Sequence, residues 1–145
     1  MVAHGTIERH PHSRWTVPDC GSFLPEAAHR MAGISRALVP AGMMEDSDVL
    51  GCLRSLCYDV AGDAEPVMLD ALLRIADLTH LLHGSDCPQA PALLAKAKLG
   101  ALLEGPHGQM LGDLFWKNVA SIYGLEGCGE SVRMAEVHAR WPCPA

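Results

Sequence analysis

The stretch PVMLDALLRIADLTHLLHG, residues 66–84, decides the predicted fold because it carries the strongest helical pattern in the chain. Pro66 suits a first helical turn, and Gly84 suits a helix end. Between these two residues, apolar side chains cover most of the helix circumference, which is typical of a buried, central helix. The stretch therefore predicts the core helix of a helical protein.

The predicted fold is an all-α, compact bundle of about six helices around this central apolar helix. Helical spacing and terminal Pro or Gly residues place the other helices at about residues 25–39, 46–62, 91–104, 109–123 and 130–141. Residues 1–21 are predicted to be a flexible leader, residues 22–141 a single domain, and residues 142–145 a tail.

Composition excludes several classes of protein. The chain has 145 residues, of which 49% are hydrophobic and 19% charged, so it can bury a core and is not disordered. A net charge of −6 argues against nucleic-acid binding, because there is no basic stripe to meet phosphates. The sequence contains no apolar run of transmembrane length and no secretory signal pattern, which predicts a cytoplasmic protein.

Nucleophile and phosphate-binding motifs are absent from the sequence. It has no Gly-x-Ser-x-Gly and no Gly-x-x-x-x-Gly-Lys-Ser/Thr, and its six cysteines form no Cys-x-x-Cys pair. The sequence therefore predicts a protein that is not an enzyme, with no catalytic residues, no metal ligands and no cofactor.

One face of the third predicted helix forms an apolar stripe. Met68, Leu72, Ile75 and Thr79 follow each other at helical spacing, with Ala76 and Asp77 beside them. A small residue allows close approach of another helix, and a neighbouring carboxylate can set the register through an ion pair. The stripe is also compatible with an ordinary core helix.

Two segments resemble motifs of the Bcl-2 family of apoptosis regulators. Residues 72–77, LLRIAD, resemble the third homology motif, and residues 115–123, FWKNVASIY, resemble the first, with Trp116 in the position of the motif tryptophan. The Asn, Gly and Arg of that motif are replaced by Phe115, Lys117 and Asn118. The second homology motif and the membrane anchor are absent, as in short viral members of the family.

This resemblance implies an apoptosis inhibitor that binds the death-motif helix of pro-apoptotic relatives in a hydrophobic groove. Lys117 and Asn118 would face the acid of that helix. It also implies a homodimer that covers the empty groove, and a location at the mitochondrial surface through partners. The predicted groove residues are Leu72, Ile75, Leu99, Leu103, Met110, Leu114, Trp116, Lys117 and Asn118.

Other interpretations remain open at the level of sequence. His80 and His83, three residues apart on the third predicted helix, could bind a metal together with cysteines, which predicts a metal-binding or redox bundle. A shifted register places the Gly-Asp of the third motif at Gly62 and Asp63. A pro-apoptotic member of the family would share the same fold.

Overall fold

The structure, a computed structural model, describes residues 2–62, 64 and 66–125. Within these residues, a parallel sheet of three strands in the order β1-β2-β3 carries the fold. Thr16 of β1 lies opposite Cys57 of β2, and Asp59 of β2 lies opposite Leu82 of β3. The strands are β1 (Thr16–Val17), β2 (Cys57–Asp59) and β3 (Leu81–Leu82).

Helices connect the strands, as parallel pairing requires. The helices are α1 (Thr6–Arg9), α2 (Leu24–Leu38), α3 (Val49–Ser55), α4 (Val67–Leu72), α5 (Ala92–Glu104) and α6 (Gly108–Tyr123). α2 and α3 lead from β1 to β2, and α4 leads from β2 to β3. Across the described ranges, no helix combines the length and the apolar character needed to cross a membrane.

The core lies where the sheet meets the helices. Tyr58 of the middle strand is fully buried, and its hydroxyl donates a hydrogen bond of 2.7 Å to the carbonyl oxygen of Leu53. Leu69 of α4 and Phe115 of α6 are buried to a similar degree. Burial raises the pKa of Tyr58 to about 12, so this side chain stays neutral.

The prediction of an all-α bundle is wrong, because two of the predicted helices contain strands. The segment from residue 46 to residue 62 is helical only over α3, and Leu56 then turns to an extended backbone (φ −73°, ψ 149°) before β2. A strand that is covered on both faces reads as a continuous apolar run, and periodicity does not distinguish it from a buried helix.

The central helix predicted over residues 66–84 is also wrong in its second half. α4 ends at Leu72, Leu78–His80 forms a 3-10 turn, and β3 follows directly. Asp77 has an extended backbone, and its carboxylate accepts hydrogen bonds from the backbone N–H and the hydroxyl of Thr79, at 2.9 and 2.7 Å. This local capping by Asp77 competes with a continuous helix.

Three predicted helices are confirmed with nearly their predicted bounds. They are α2, α5 and α6, each of which begins or ends beside a Pro or Gly residue. The sixth predicted helix, residues 130–141, and the predicted tail lie outside the described residues.

The segment that was predicted to be a leader takes part in the fold. β1 pairs with β2, and Cys20 is fully buried. Glu8 of α1 accepts a hydrogen bond from Cys52 of α3. The predicted domain boundary after residue 21 therefore falls inside a segment that packs against the core.

Candidate active site at the carboxyl edge of the sheet

Three carboxylates follow the three strands at one edge of the sheet. Asp59 is the last residue of β2, Asp19 comes two residues after β1, and Asp86 comes four residues after β3. Because parallel strands end at the same edge, their following loops lie side by side. This edge is where open α/β sheets and barrels bind their ligands.

The same loops hold strained backbone. In the described part of the chain, the residues other than glycine with positive φ are Asp19 (52°), Cys20 (52°), Ser22 (51°) and Asp86 (56°). Each such residue costs about 1–2 kcal/mol and persists only where the surrounding structure holds it. Strain of this kind clusters at functional sites, which marks the carboxyl edge as the candidate site.

Asp59 joins the three loops. Its Oδ1 accepts a hydrogen bond of 3.1 Å from the backbone N–H of Asp19, in the loop after β1. In the loop after β3, a Cβ added to Gly84 would lie 2.8 Å from Cγ of Asp59. Only glycine therefore lets this backbone approach the Asp59 carboxyl group so closely.

The electrostatic environment of Asp59 favours its neutral form. Burial raises the pKa of Asp59, and the nearby charges of Asp19 and Asp86 raise it further, while the backbone N–H groups of Asp19 and Ala61 act in the opposite direction. A carboxyl group with a raised pKa at a strand end is typical of sites that transfer protons.

A cavity of about 130 Å³ opens between the loops after β2 and β3 and α5. Asp86 and His83 line it from the loop after β3, and the ring of His83 lies 5.8 Å from that of Phe115. Lys98 lines it from α5, so the cavity combines a carboxylate, an imidazole and an ammonium group with an apolar wall. The wall includes Val60, Ala64, Ala90, Ala95, Leu99 and Leu102.

Carboxylate oxygens are ligands that hard cations prefer. However, the described residues contain no group of three or more His, Cys, Asp or Glu side chains that is arranged to hold a metal ion. One of the three strand-end acids, Asp59, already accepts backbone hydrogen bonds.

The two histidines of the alternative metal site do not come together. His80 precedes β3, lines a groove at the opposite edge of the sheet, and its Nδ1 lies 3.3 Å from the carbonyl oxygen of Arg54. His83 follows β3 and lines the carboxyl-edge cavity. The prediction failed because the two residues flank a strand instead of sharing a helix face.

The residues of the predicted apoptotic groove are distributed over the molecule. Leu72, Ile75 and Asn118 are buried, and Leu99 lines the carboxyl-edge cavity. Asn118 donates hydrogen bonds of 2.7 Å to the carbonyl oxygens of Leu78 and Leu81, so its amide is engaged within the core. Met110 packs partly buried against the core, and Leu103 is 36% exposed. Met68 and Ala76, from the apolar stripe, also pack partly buried against the core. Leu114 and Trp116 are half-buried, and Lys117 is exposed.

Sequence reasoning missed the residues that converge at the carboxyl edge. These are Asp19, Asp59, Asp86 and Lys98. The available signal was the run Leu81-Leu82-His83-Gly84-Ser85-Asp86, an apolar pair followed by a glycine and an acid. A short apolar run bounded by turn residues is compatible with a buried strand.

Comparisons with known proteins point to enzymes. The chain is 34% identical over 95 residues to 6-methylsalicylic acid decarboxylase from Aspergillus aculeatus, a match that covers 63% of this chain and 28% of that protein. It is 28% identical over 91 residues to the Penicillium expansum protein of the same name, with the same coverage. The chain thus spans little more than a quarter of the length of these relatives. No model of a known protein family matches it.

Solved structures show the same fold. An amidohydrolase II superimposes with a TM-score of 0.73 at 25% identity, over 83% of this chain and 38% of that one. A 5-carboxyvanillate decarboxylase from Sphingomonas paucimobilis superimposes with a TM-score of 0.69, over 84% of this chain and 37% of that one. At 14% identity, the second comparison concerns the fold alone.

These comparisons correct the functional predictions. The Bcl-2 resemblance, the function as an apoptosis inhibitor, the pro-apoptotic partners and the prediction of a non-enzyme are wrong, because the relatives are decarboxylases. The motif match rested on an Asp and a Trp within apolar runs, which many unrelated cores contain. The alternative prediction of a metal-binding or redox helical bundle is also wrong. The homodimer was predicted because it would cover the empty groove. Since the groove prediction is wrong, nothing supports a homodimer.

Proposed function

We propose that this chain forms part of a decarboxylase for aromatic carboxylic acids, with the reaction at the carboxyl edge of the sheet. The observation that carries the proposal is the cavity that Asp86 and Lys98 line beside strained strand-end loops. The 34% identity to a 6-methylsalicylic acid decarboxylase supports the choice of reaction.

The reaction requires one proton and one broken carbon–carbon bond. A proton adds to the ring carbon that bears the carboxylate, the bond to that carboxylate breaks, and its electron pair restores the aromatic ring as CO₂ leaves. Asp86 is the carboxyl group that lines the cavity, and we assign proton transfer to it. Water returns the proton to Asp86 after each turnover.

The test is an assay with 6-methylsalicylate labelled with ¹⁴C in its carboxyl group. We expect release of labelled CO₂ together with 3-methylphenol in equal amounts. Asp86→Asn should lower the rate by about 100-fold or more, because a positioned proton-transfer group contributes that much. The matched control is Asp113→Asn, an exposed acid on α6, which should leave the rate unchanged.

Two results would overturn this proposal. One is no release of CO₂ from either 6-methylsalicylate or 5-carboxyvanillate. The other is an Asp86→Asn variant that is as active as the unaltered chain.

A hydrolase is the second candidate, favoured by the superposition on an amidohydrolase II at the higher TM-score. The same cavity would then take an aryl amide, and the products would be an acid and an amine without CO₂. Product analysis separates the two reactions directly.

We also propose that the described residues belong to one domain, because β1 in the predicted leader pairs with β2. A cytoplasmic location stays a prediction, which cell fractionation would test. The mitochondrial surface was predicted only through partners that the comparisons contradict.

A further inference from the structure

One face of α5 forms a wall of the carboxyl-edge cavity. Ala95, Lys98, Leu99 and Leu102 line it, at the spacing i, i+3, i+4 and i+7 that brings helical residues onto one face. Lys96 and Ala97 lie on the same helix but are exposed to solvent and do not line the cavity. The helix thus places one lysine at the cavity and the other away from it.

Small residues determine the width of this cavity. Ala64, Ala90, Ala95 and Gly84 all line it, and its volume is about 130 Å³. An apolar cavity of about 150 Å³ in another protein accommodates one benzene molecule. The two volumes are similar, so the space matches a single aromatic ring.

Charge determines how such a ring would be oriented. A carboxylate on the ring would be attracted by the Lys98 ammonium group, which lines the cavity. Lys98 already takes part in an interaction within the chain. Its ammonium group carries three N–H donors, so a ligand carboxylate can share it.

We propose that this cavity selects benzoates with a single ring, with Lys98 binding the ligand carboxylate and Ala95 limiting the size of the ring. The class of ligand rests on the proposed function. The roles of Lys98 and Ala95 as specificity residues go beyond it.

Size selection is tested by calorimetric titration of the 145-residue chain with salicylate and with 1-hydroxy-2-naphthoate. We expect salicylate to bind at least about tenfold more tightly. Ala95→Leu should abolish salicylate binding, because its larger side chain fills the cavity. Ala97→Leu makes the same change on the exposed face of the same helix and should have no effect.

Ala101→Leu is the second variant for the size test. Ala101 lines the cavity yet is exposed, so a larger side chain there should weaken binding without disturbing the core. Circular dichroism of each variant verifies that the helices are retained.

Carboxylate recognition is tested by comparing salicylate with phenol, which has no carboxylate. Lys98→Met should weaken salicylate binding by about tenfold or more, as expected for loss of a charge-assisted hydrogen bond. Phenol binding should be unchanged. Lys96→Met is the matched control on the same helix and should leave both affinities as they are.

Equal affinity for salicylate and the naphthoate would overturn size selection, as would an Ala95→Leu variant that folds and binds normally. Equal losses in the two lysine variants would overturn the role of Lys98. Salicylate binding without any CO₂ release would overturn only the proposed function. Release of CO₂ that Lys98→Met and Ala95→Leu leave unchanged would overturn only the present inference.

Discussion

Cys52 and Glu8 share a hydrogen bond in which the thiol donates to the carboxylate, with Sγ and Oε1 2.6 Å apart. Burial raises the pKa of Cys52 to about 12, and the hydrogen bond and charge of Glu8 add to this effect. The same bond lowers the pKa of Glu8. The pair therefore fixes α1 to α3 through an ionised carboxylate and a neutral thiol.

Glu8→Gln should make Cys52 more reactive. Removing the carboxylate charge lowers the pKa of the thiol, and the thiolate is the form that reacts with alkylating agents. We expect alkylation by iodoacetamide at pH 8.5 to speed up about threefold or more. Mass spectrometry of the peptide that contains Cys52 measures the rate.

Glu26→Gln, an exposed acid on α2, is the control and should not change that rate. An unchanged rate in Glu8→Gln would mean that burial alone determines the reactivity of Cys52.

Single residues also show why sequence reasoning missed parts of the site. Asn118 was predicted to face a ligand, yet its amide is held by two backbone carbonyl groups in the core. Asp59 carried no signal at all, because its role depends on the loops after β1 and β3, which are distant in the chain. Neither environment can be read from the neighbours of a residue in the sequence.

At the scale of elements, α5 and α6 meet at a turn that only glycine permits. A Cβ added to Gly108 would collide with the backbone carbonyl group of Leu103. A Cβ added to Gly100, inside α5, would meet no atom within 4 Å. Alanine substitution should therefore change the stability of the protein in opposite directions at the two glycines.

Gly108→Ala should lower the free energy of unfolding by about 1–3 kcal/mol, as expected for a forced backbone shift. Gly100→Ala should raise it by about 0.5–1 kcal/mol, because alanine loses less conformational entropy in a helix. Urea unfolding of both variants measures the changes. Equal effects of the same sign would contradict this account of the turn.

Asn118 connects α6 to the start of β3. Asn118→Leu should lower the free energy of unfolding by about 1–3 kcal/mol, because it leaves two carbonyl oxygens without their donor. Lys117→Leu, at the exposed neighbouring position, is the matched control and should change stability little. A small effect of Asn118→Leu in urea unfolding would show that these two bonds contribute little.

Elements also differ in how well the sequence predicts them. α2, α5 and α6 each combine a long periodic pattern with Pro or Gly at a terminus, so local signals suffice. β1 and β3 have two residues each, which is too short for an alternating pattern. Their pairing with β2 depends on partners 41 and 23 residues away in the chain.

At the scale of the whole molecule, the raised pKa of Asp59 makes the stability of the fold depend on pH. Its pKa is raised above the ordinary value of 3.8, so the folded state binds this proton more tightly than the unfolded chain. The protonated Asp59 side chain therefore contributes its full stabilisation below pH 3.8, the unfolded pKa. This stabilisation is lost as the pH rises through the higher pKa of the folded state.

The Asp59→Asn variant has no ionisable group at this position, so its stability does not change through this titration. The free energy of unfolding of the unaltered chain, relative to this variant, should therefore fall as the pH rises above 3.8. Urea unfolding at several pH values measures the difference, and Asp113→Asn should show no such trend. A difference that is constant or increases with pH would contradict the raised pKa.

The sequence by itself determined that the chain can bury a core and that α2, α5 and α6 are helices, because these properties depend on composition and on residues within a few turns. Only the tertiary structure decided that the segments at residues 57–59 and 81–82 pair as parallel strands. The carboxyl-edge site follows from that pairing, because parallel strands bring Asp19, Asp59 and Asp86 to one edge although they are far apart in the chain.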